Sequence, residues 1–416
     1  MKVPSSLLLT CLLFTSPAAP VNAQGPPPHL PAEALAEAVD PERLEWLTQH
    51  PVADGPVAGG LEFAFPDAFY QGRLFLLGES HGSAAPQVLD LELLTHLNAR
   101  IGLTDYLAEV DPVQAVELNR YLADGDEAVL DRVFDLWNSG SQWANVAFED
   151  KVRGIRALNA TVPVDRRVRF HGVDAIQDWP LLVQYLRQRG AAIELDDVMG
   201  GAAVTERARI AADALAASSA AADEAYLLAA LRRQQGGEDR EGTIFGNYAE
   251  LLRSGALGER PAYGLWGAAH VMQARLNGRD TFAARVRDSS LSSAALVRSI
   301  VVYALDSAVQ FPVALPDGLA RVRFAEGNVD GPVVKLAGST TLREATRASR
   351  ITLFALQGEG SPFDQGDELV ALSSSMDPGL RPEPGLATTA YFQYVGVYRD
   401  SDWAAPRAGS GRVLQP

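Results

Sequence analysis

The chain has 416 residues, 47% of them hydrophobic, enough to bury a core unaided and to allow two or three domains. Its only cysteine, Cys11, lies in an apolar N-terminal segment, so loss of that segment excludes disulfides, thiolate metal ligands and a cysteine nucleophile. A formal charge of −16, or −17 once Lys2 is removed, argues against nucleic acid or an anionic membrane as partner.

The opening MKVPSSLLLTCLLFTSPAAPVNAQ has one cation, an apolar stretch from Leu7 to Phe14, and small residues leading to Ala23. This pattern predicts a signal peptide over residues 1–23, cleaved after Ala23, and a protein secreted into the bacterial periplasm. A lipid anchor at Cys11 fits less well, because Thr10 precedes it where Ala, Gly or Ser is expected. No later apolar run reaches the ~20 residues needed to span a bilayer, so no stable membrane insertion is expected after cleavage.

Residues 24–60 read as a lead-in, extended and rich in proline and alanine up to residue 41, where His29 lies among prolines and is chemically idle. From Arg73 onward strands alternate with amphipathic helices, the mark of βαβ units. Strands are predicted at 73–79, 104–110, 167–173 and 262–267, within an α/β domain over 61–295. The segment QVLDLELLTHLNARIG after the first strand carries the apolar spacing of a core-facing helix ending near Gly102, and His96 inside it reads as packed or surface. A helical insertion is expected at about 200–255, interrupted by the polar loop Gln234 to Asp239. Residues 296–416 form a strand-rich C-terminal region, with runs at 297–304, 351–356 and 389–398 that either finish the sheet or make an appended β unit. The fold class is therefore α/β, with a central, mostly parallel sheet flanked by helices.

In such a sheet ligands bind at the carboxyl ends of the strands. There the sequence places Glu79 and His81, Glu109 and Asp111, His171 and Asp174, and His270. Asp111 precedes Pro112 and fits a helix cap as well as a site role, and Asp174 has the same two readings. His81 and His270 each end a Gly-x-x-His turn, Gly78 to His81 and Gly267 to His270. Glycine at a strand end permits an unusual backbone angle or a close approach, so the two turns can aim two imidazoles at one point. His171, inside RVRFHGVD, reads equally as a buried, hydrogen-bonded histidine.

The ordered segments GESHG, YLAEVDPVQAVELNRYLADGD, FHGVDAIQ and YGLWGAAHVMQ resemble the erythromycin-esterase-like and ChaN-like superfamily, which also includes the Tiki/TraB proteins. The resemblance covers roughly residues 70–280. It implies catalytic roles for Glu79, His81, Glu109 and His270. Esterases of the family look similar again at Trp143, Glu149, Arg156 and Asn159, and of these Glu149 and Arg156 become accessory candidates with Asp111, His171 and Asp174. Two departures stand out: the first motif is one residue shorter than the family's Gly-Glu-x-Thr-His-Gly, and Ala268 and Ala269 stand where esterases carry an extra histidine. Both turn spacings are closer to the Tiki branch, whose paired Gly-x-x-His motifs bind a divalent metal, so the resemblance implies a metal as well.

Two mechanisms use these residues. In one, His81, Glu109 and His270 ligate a divalent metal (Mn, Fe, Co or Zn) that activates water, with Glu79 as base or as a partner orienting an imidazole. In the other, His81 beside Glu79 or Glu109 is itself the general base for an ester or amide, and Arg156 stabilises the oxyanion. The expected partner in either case is a small-molecule or peptide substrate. The ChaN resemblance implies the alternative, periplasmic binding of haem or iron without turnover, with Tyr106, Tyr121 and Tyr263 near the motif segments. No Gly-x-Ser-x-Gly elbow supports Ser80 as a nucleophile.

Overall fold

A computed structural model describes residues 28–414 apart from 139–140, 202, 221–223, 259, 316–317, 376–378 and 411. The expected signal segment, with Cys11, lies outside the described residues. In chain order the strands are β1 (Pro51–Pro56), β2 (Glu62–Phe63), β3 (Leu74–Glu79), β4 (Asp105–Ala108), β5 (Arg169–Gly172), β6 (Ala262–Gly267) and β7 (Val297–Leu305). They continue with β8 (Val309–Leu315), β9 (Gly318–Phe324), β10 (Val334–Leu336), β11 (Arg350–Ala355), β12 (Leu372–Ser374), β13 (Tyr394–Arg399) and β14 (Arg412–Leu414).

Nine of these strands form one sheet in the order β2-β1-β11-β13-β7-β3-β6-β4-β5. From β13 to β5 every pairing is parallel, whereas β11, β1 and β2 pair antiparallel. The α/β reading holds, and the C-terminal strands β7, β11 and β13 finish the sheet beside β3. Within the lead-in, Pro51–Pro56 supplies β1, which the proline content of that stretch disguised.

All six residues of β3 are buried, as expected of a parallel strand covered on both faces. Leu74 and Leu76 join the core on one face with Trp266, Val301 and Tyr303. Phe75 and Leu77 join the other with Leu89, Leu93, Tyr106 and Ile300. Burying such side chains is worth roughly 25 cal/mol per Å² of apolar surface, and β3 contributes to the cores on both faces. The helical insertion is built from Val204–Ala216, Ala225–Gln235 and Arg240–Arg253. Its first two helices pack with Trp179–Gln188 around a third core that includes Leu182, Leu186, Ala208, Ala212 and Leu231. Among the described residues no helix is long and apolar enough to cross a membrane.

The remaining C-terminal strands do a separate job. β8 pairs with β9, and β14 with β9, in a small sheet standing over the carboxyl end of β3. The backbone N–H groups of Gln310 and Ala404 both donate to the carbonyl of Gly82, at 2.8 and 2.7 Å. Arg321, fully buried, donates to the carbonyls of Ser410, Ser141 and Trp137 at 2.9, 2.7 and 3.2 Å. The small sheet thereby holds the turn that carries His81 and the segment that leads into Trp143.

The side chain of His171, the third residue of β5, turns back toward the start of β4. Its Nε2 lies 2.7 Å from Asp105 Oδ1, at the start of β4, and the Nε atoms of Arg169 and Arg260 reach the same carboxylate at 2.7 and 2.8 Å. Burial raises the Asp105 carboxyl, but the bonds from His171, Arg260 and Arg169 outweigh it and hold the group far below its ordinary 3.8. A depressed carboxylate stabilises the fold fully above its unfolded value and ceases to do so as pH falls through the folded one. Asp105→Asn is accordingly expected to flatten the acid limb of a melting-temperature profile below about pH 4. An unchanged acid limb in Asp105→Asn would refute this.

Candidate active site

The parallel strands deliver four groups to one edge. β3 ends at Glu79 and turns through Ser80 to His81, β4 is followed by Glu109, β5 by Asp174, and β6 by the 3-10 turn Ala268–Val271 that contains His270. Both glycines of the Gly-x-x-His turns serve close approach rather than an unusual backbone angle. A methyl group on Gly78 would lie 2.5 Å from Val271 Cγ2 and 3.0 Å from Ala268 Cα, so only glycine lets the β3 end nest against the second turn. A methyl on Gly267 would stand 3.2 Å from His81 Nε2 and 3.4 Å from His270 Cδ2, between the two imidazoles.

His81 and Glu79 form a buried pair. Nδ1 of His81 is 3.0 Å from Glu79 Oε1, which also accepts from Gln87 Nε2 at 3.1 Å. With Nδ1–H held by the carboxylate, Nε2 is left as the basic nitrogen. Nε2 is buried and makes no hydrogen bond among the described residues; Glu109 Oε2 is 4.0 Å away. The Trp143 ring covers the imidazole at a centroid distance of 4.4 Å. Burial pushes the Glu79 carboxyl up, while the His81 hydrogen bond and the charge of Lys151 work against that rise. Lys151 is itself buried, with Nζ 2.7 Å from Asp90 Oδ2, and the Tyr106 hydroxyl donates to the same oxygen at 2.6 Å.

The second cluster centres on a residue the sequence did not single out. Arg240, in the first turn of the helix Arg240–Arg253, directs Nη2 to Glu109 Oε1 at 2.7 Å and to Asp174 Oδ2 at 2.6 Å. Its Nη1 is 3.0 Å from His270 Nε2, and its Nε is 3.1 Å from Asp174 Oδ1. Glu241, the next residue, lies 2.6 Å from His270 Nδ1. Burial opposes an imidazolium at His270 while Glu241 and Glu109 favour one and push the group up, but the 3.0 Å contact with Arg240 Nη1, which can only donate, requires an unprotonated Nε2 and so keeps the ring neutral while Arg240 is in place. Burial likewise opposes ionisation of Glu109, yet His270 and Arg240 hold its carboxyl well below the usual carboxylate range. Arg240 and Glu241 are 23% and 20% exposed, whereas the His81 and His270 side chains are 1% exposed, so the cluster meets solvent through the start of this helix.

The donors do not fit the divalent metal expected of His81, Glu109 and His270. A guanidinium already lies within hydrogen-bond distance of Glu109 and His270, and a dication at the same atoms would be repelled by it. The three residues also fail to converge on one empty point, since His81 Nε2 faces Glu109 Oε2 while His270 Nε2 is 3.4 Å from Oε1. Among the described residues no group of three or more His, Cys, Asp or Glu side chains has metal-binding geometry. Haem fits no better. The hydroxyls of Tyr106, Tyr121 and Tyr263 are directed to Asp90, Glu127 and the Asp90 carbonyl, leaving none as an axial ligand.

The accessory candidates divide. Asp174 joins Arg240, as above. Asp111 is a cap: Oδ1 accepts from the backbone N–H of Val113 and Gln114, both at 2.9 Å, and Oδ2 from those of Gln177 and Asp178. Glu149 pairs with Arg153 at 2.9 Å and Arg407 at 3.2 Å. Arg156 packs on Gly125 at the end of the helix Pro112–Asp124, about 18 Å along from the edge where that helix starts, and so does not reach the His81 cluster. Its place suits a cation beside helix-terminal carbonyls. Asn159 exchanges two hydrogen bonds with the Val168 backbone and is structural. A concavity of about 990 Å³, lined by Asp239, Phe245, Arg285 and Leu291, lies on the other face of the Arg240 helix and touches none of these groups; chemistry rather than volume marks the site.

Arg240 escaped the sequence reading because it stands 131 residues from Glu109 in a charged run, Glu238 to Glu241, that looks like any solvated helix start. Gln87, Asp90 and Lys151 gave only the faint signal of polar residues on the inner faces of apolar helices.

Compared with models of known families and with curated proteins, the sequence matches none. Solved structures do share its fold. A Bacillus cereus protein aligns over 87% of this chain and 98% of its own at 13% identity and a TM-score of 0.60. A succinoglycan biosynthesis protein aligns over 89% and 100% at 12% identity and a TM-score of 0.59. A histidine-to-asparagine variant of the erythromycin esterase EreC, in its open conformation, aligns over 80% and 92% at 13% identity and a TM-score of 0.55. At these identities the likeness is one of fold.

Proposed function

We propose that this protein, built on the fold it shares with an erythromycin esterase, is an exported hydrolase of esters or amides in which His81 is the general base. One observation carries the proposal: Glu79 holds Nδ1 of His81 at 3.0 Å, deep in the protein, and leaves Nε2 without a hydrogen-bond partner among the described residues. In the reaction, Nε2 takes a proton from water as the water oxygen bonds to the substrate carbonyl carbon. Glu79 steadies the imidazolium that results. Collapse of the tetrahedral intermediate breaks the bond to the alcohol or amine, which leaves with the proton that His81 returns. Trp143, its ring tilted 55° against the imidazole at 4.4 Å, limits the motion of the ring and keeps bulk water from it.

Glu109 is the counter-charge between the two clusters. Its Oε2 accepts from the Gly267 N–H at 2.9 Å and its Oε1 is held by Arg240, so it is a rigid anion facing Nε2 rather than a second mobile base. Export rests on the N-terminal pattern and is tested by intact mass, which should place the mature start at Gln24. The activity is tested by offering purified protein a panel of carboxylic esters, lactones and peptide amides, with and without a chelator. Turnover indifferent to chelation is expected. Failure of the folded protein to hydrolyse any member would count against the proposal, and turnover abolished by chelator and restored by metal would replace its mechanism.

A further inference from the structure

We propose that Glu109, Asp174 and His270 form a cation-binding site whose resident cation is the Arg240 guanidinium, and that removal of Arg240 converts it into a site for a divalent transition metal. The three donors come from the carboxyl ends of β4, β5 and β6 and surround one group. Arg240 Nη2 is 2.7 Å from Glu109 Oε1 and 2.6 Å from Asp174 Oδ2, and Nη1 is 3.0 Å from His270 Nε2. Two carboxylates and an imidazole, with no sulfur, are the mixed oxygen and nitrogen set that Mn, Fe, Co or Zn accepts.

The surroundings of His270 point the same way. Its Nδ1 lies 2.6 Å from Glu241 Oε1, the carboxylate partner that metal-bound imidazoles ordinarily have, while Nε2 is turned to the guanidinium. The Glu109 and Asp174 side chains are 2% and 1% exposed, so without Arg240 two buried carboxylates, with Glu241 beside them, would lack their closest positive charge. Removing the guanidinium leaves that buried charge uncompensated, and a bound cation would relieve it. The carboxylates meet Nη2 and the imidazole meets Nη1, so a single ion at ~2.0–2.2 Å requires the three donors to move in to one point once the Arg240 side chain is gone. Arg240 therefore makes a dication unnecessary as well as unwelcome, and this holds whatever reaction His81 performs.

The test uses untagged full chain, purified without chelator, as wild type, Arg240→Ala, Arg240→Lys and the double variant Arg240→Ala/His270→Ala. Each is titrated with Zn²⁺ alone by calorimetry and melted with and without the ion. Arg240→Ala is expected to bind Zn²⁺ stoichiometrically and to melt higher with it. Wild type and Arg240→Lys should show neither effect, and the double variant should lose both. Adding Glu241→Ala to Arg240→Ala should weaken binding by about 10- to 100-fold. If Arg240→Ala does not fold, Arg240→Met keeps the packing of the aliphatic stem and carries the same measurement. Stoichiometric Zn²⁺ on the wild type that His270→Ala abolishes, or none on a folded Arg240→Ala or Arg240→Met, overturns the proposal. Hydrolysis by the wild type is measured separately, so loss of the His81 mechanism and loss of this site are distinguishable.

Discussion

His81→Ala is expected to lower turnover of any ester or amide substrate by about 10²- to 10⁴-fold, the usual worth of a positioned general base, with cooperative unfolding retained. The fold does not hang on this ring, because the turn that carries it is held by backbone bonds from Gln310 and Ala404 to Gly82, outside the side chain. Glu79→Gln separates orientation from basicity. The glutamine preserves shape but removes the charge that holds Nδ1–H and steadies the imidazolium, so kcat should fall while KM stays close to wild type. Steady-state kinetics on the best ester of the panel makes the comparison. Full turnover in His81→Ala would remove the histidine from the chemistry and, with it, the proposed mechanism.

Lys151→Ala is expected to cost about 3–5 kcal/mol in unfolding free energy, measured by chemical denaturation. Its ammonium is 2.7 Å from Asp90, with the two side chains 2% and 0% exposed, and it also stands 4.2 Å from the centre of the Phe148 ring. Removing it strands a carboxylate in a core where Oδ1 of Asp90 already lacks a partner among the described residues. Asp90→Asn/Lys151→Met should recover most of the loss, because a neutral pair avoids the stranded charge and the asparagine carbonyl still accepts from Tyr106. Were Lys151→Ala as stable as wild type, the pair would not be a structural charge. The same cation opposes the rise that burial imposes on Glu79, so Lys151→Met alone should also shift the pH dependence of turnover.

The periodic part of the fold was legible from the sequence because parallel strands buried on both faces leave long apolar runs. RLFLLGE and AYGLWG, at residues 73–79 and 262–267, became β3 and β6 nearly residue for residue, and a helix follows β3 to Ile101 before Gly102. The strand-end rule then brought Glu79, His81, Glu109, Asp174 and His270 to one edge, since in a parallel sheet all carboxyl ends share it. β1 was hidden by Pro51 and Pro56, which an edge-side antiparallel strand tolerates at its ends.

What only the tertiary structure decided is which of these groups face one another and what lies between them. His171, one residue before the end of β5, bends back to Asp105, and Arg156 follows its helix away from the histidines. The sequence by itself determined that two imidazoles and several carboxylates would gather where β3, β4, β5 and β6 end, because that follows from hydrophobic period and chain direction. It could not determine that Arg240, brought in by the helical insertion from outside the sheet, would occupy the cation's place. Side-chain charge balance in a buried site is set by distances of 2.6 to 3.0 Å between residues far apart in the chain, and no spacing along the sequence encodes them.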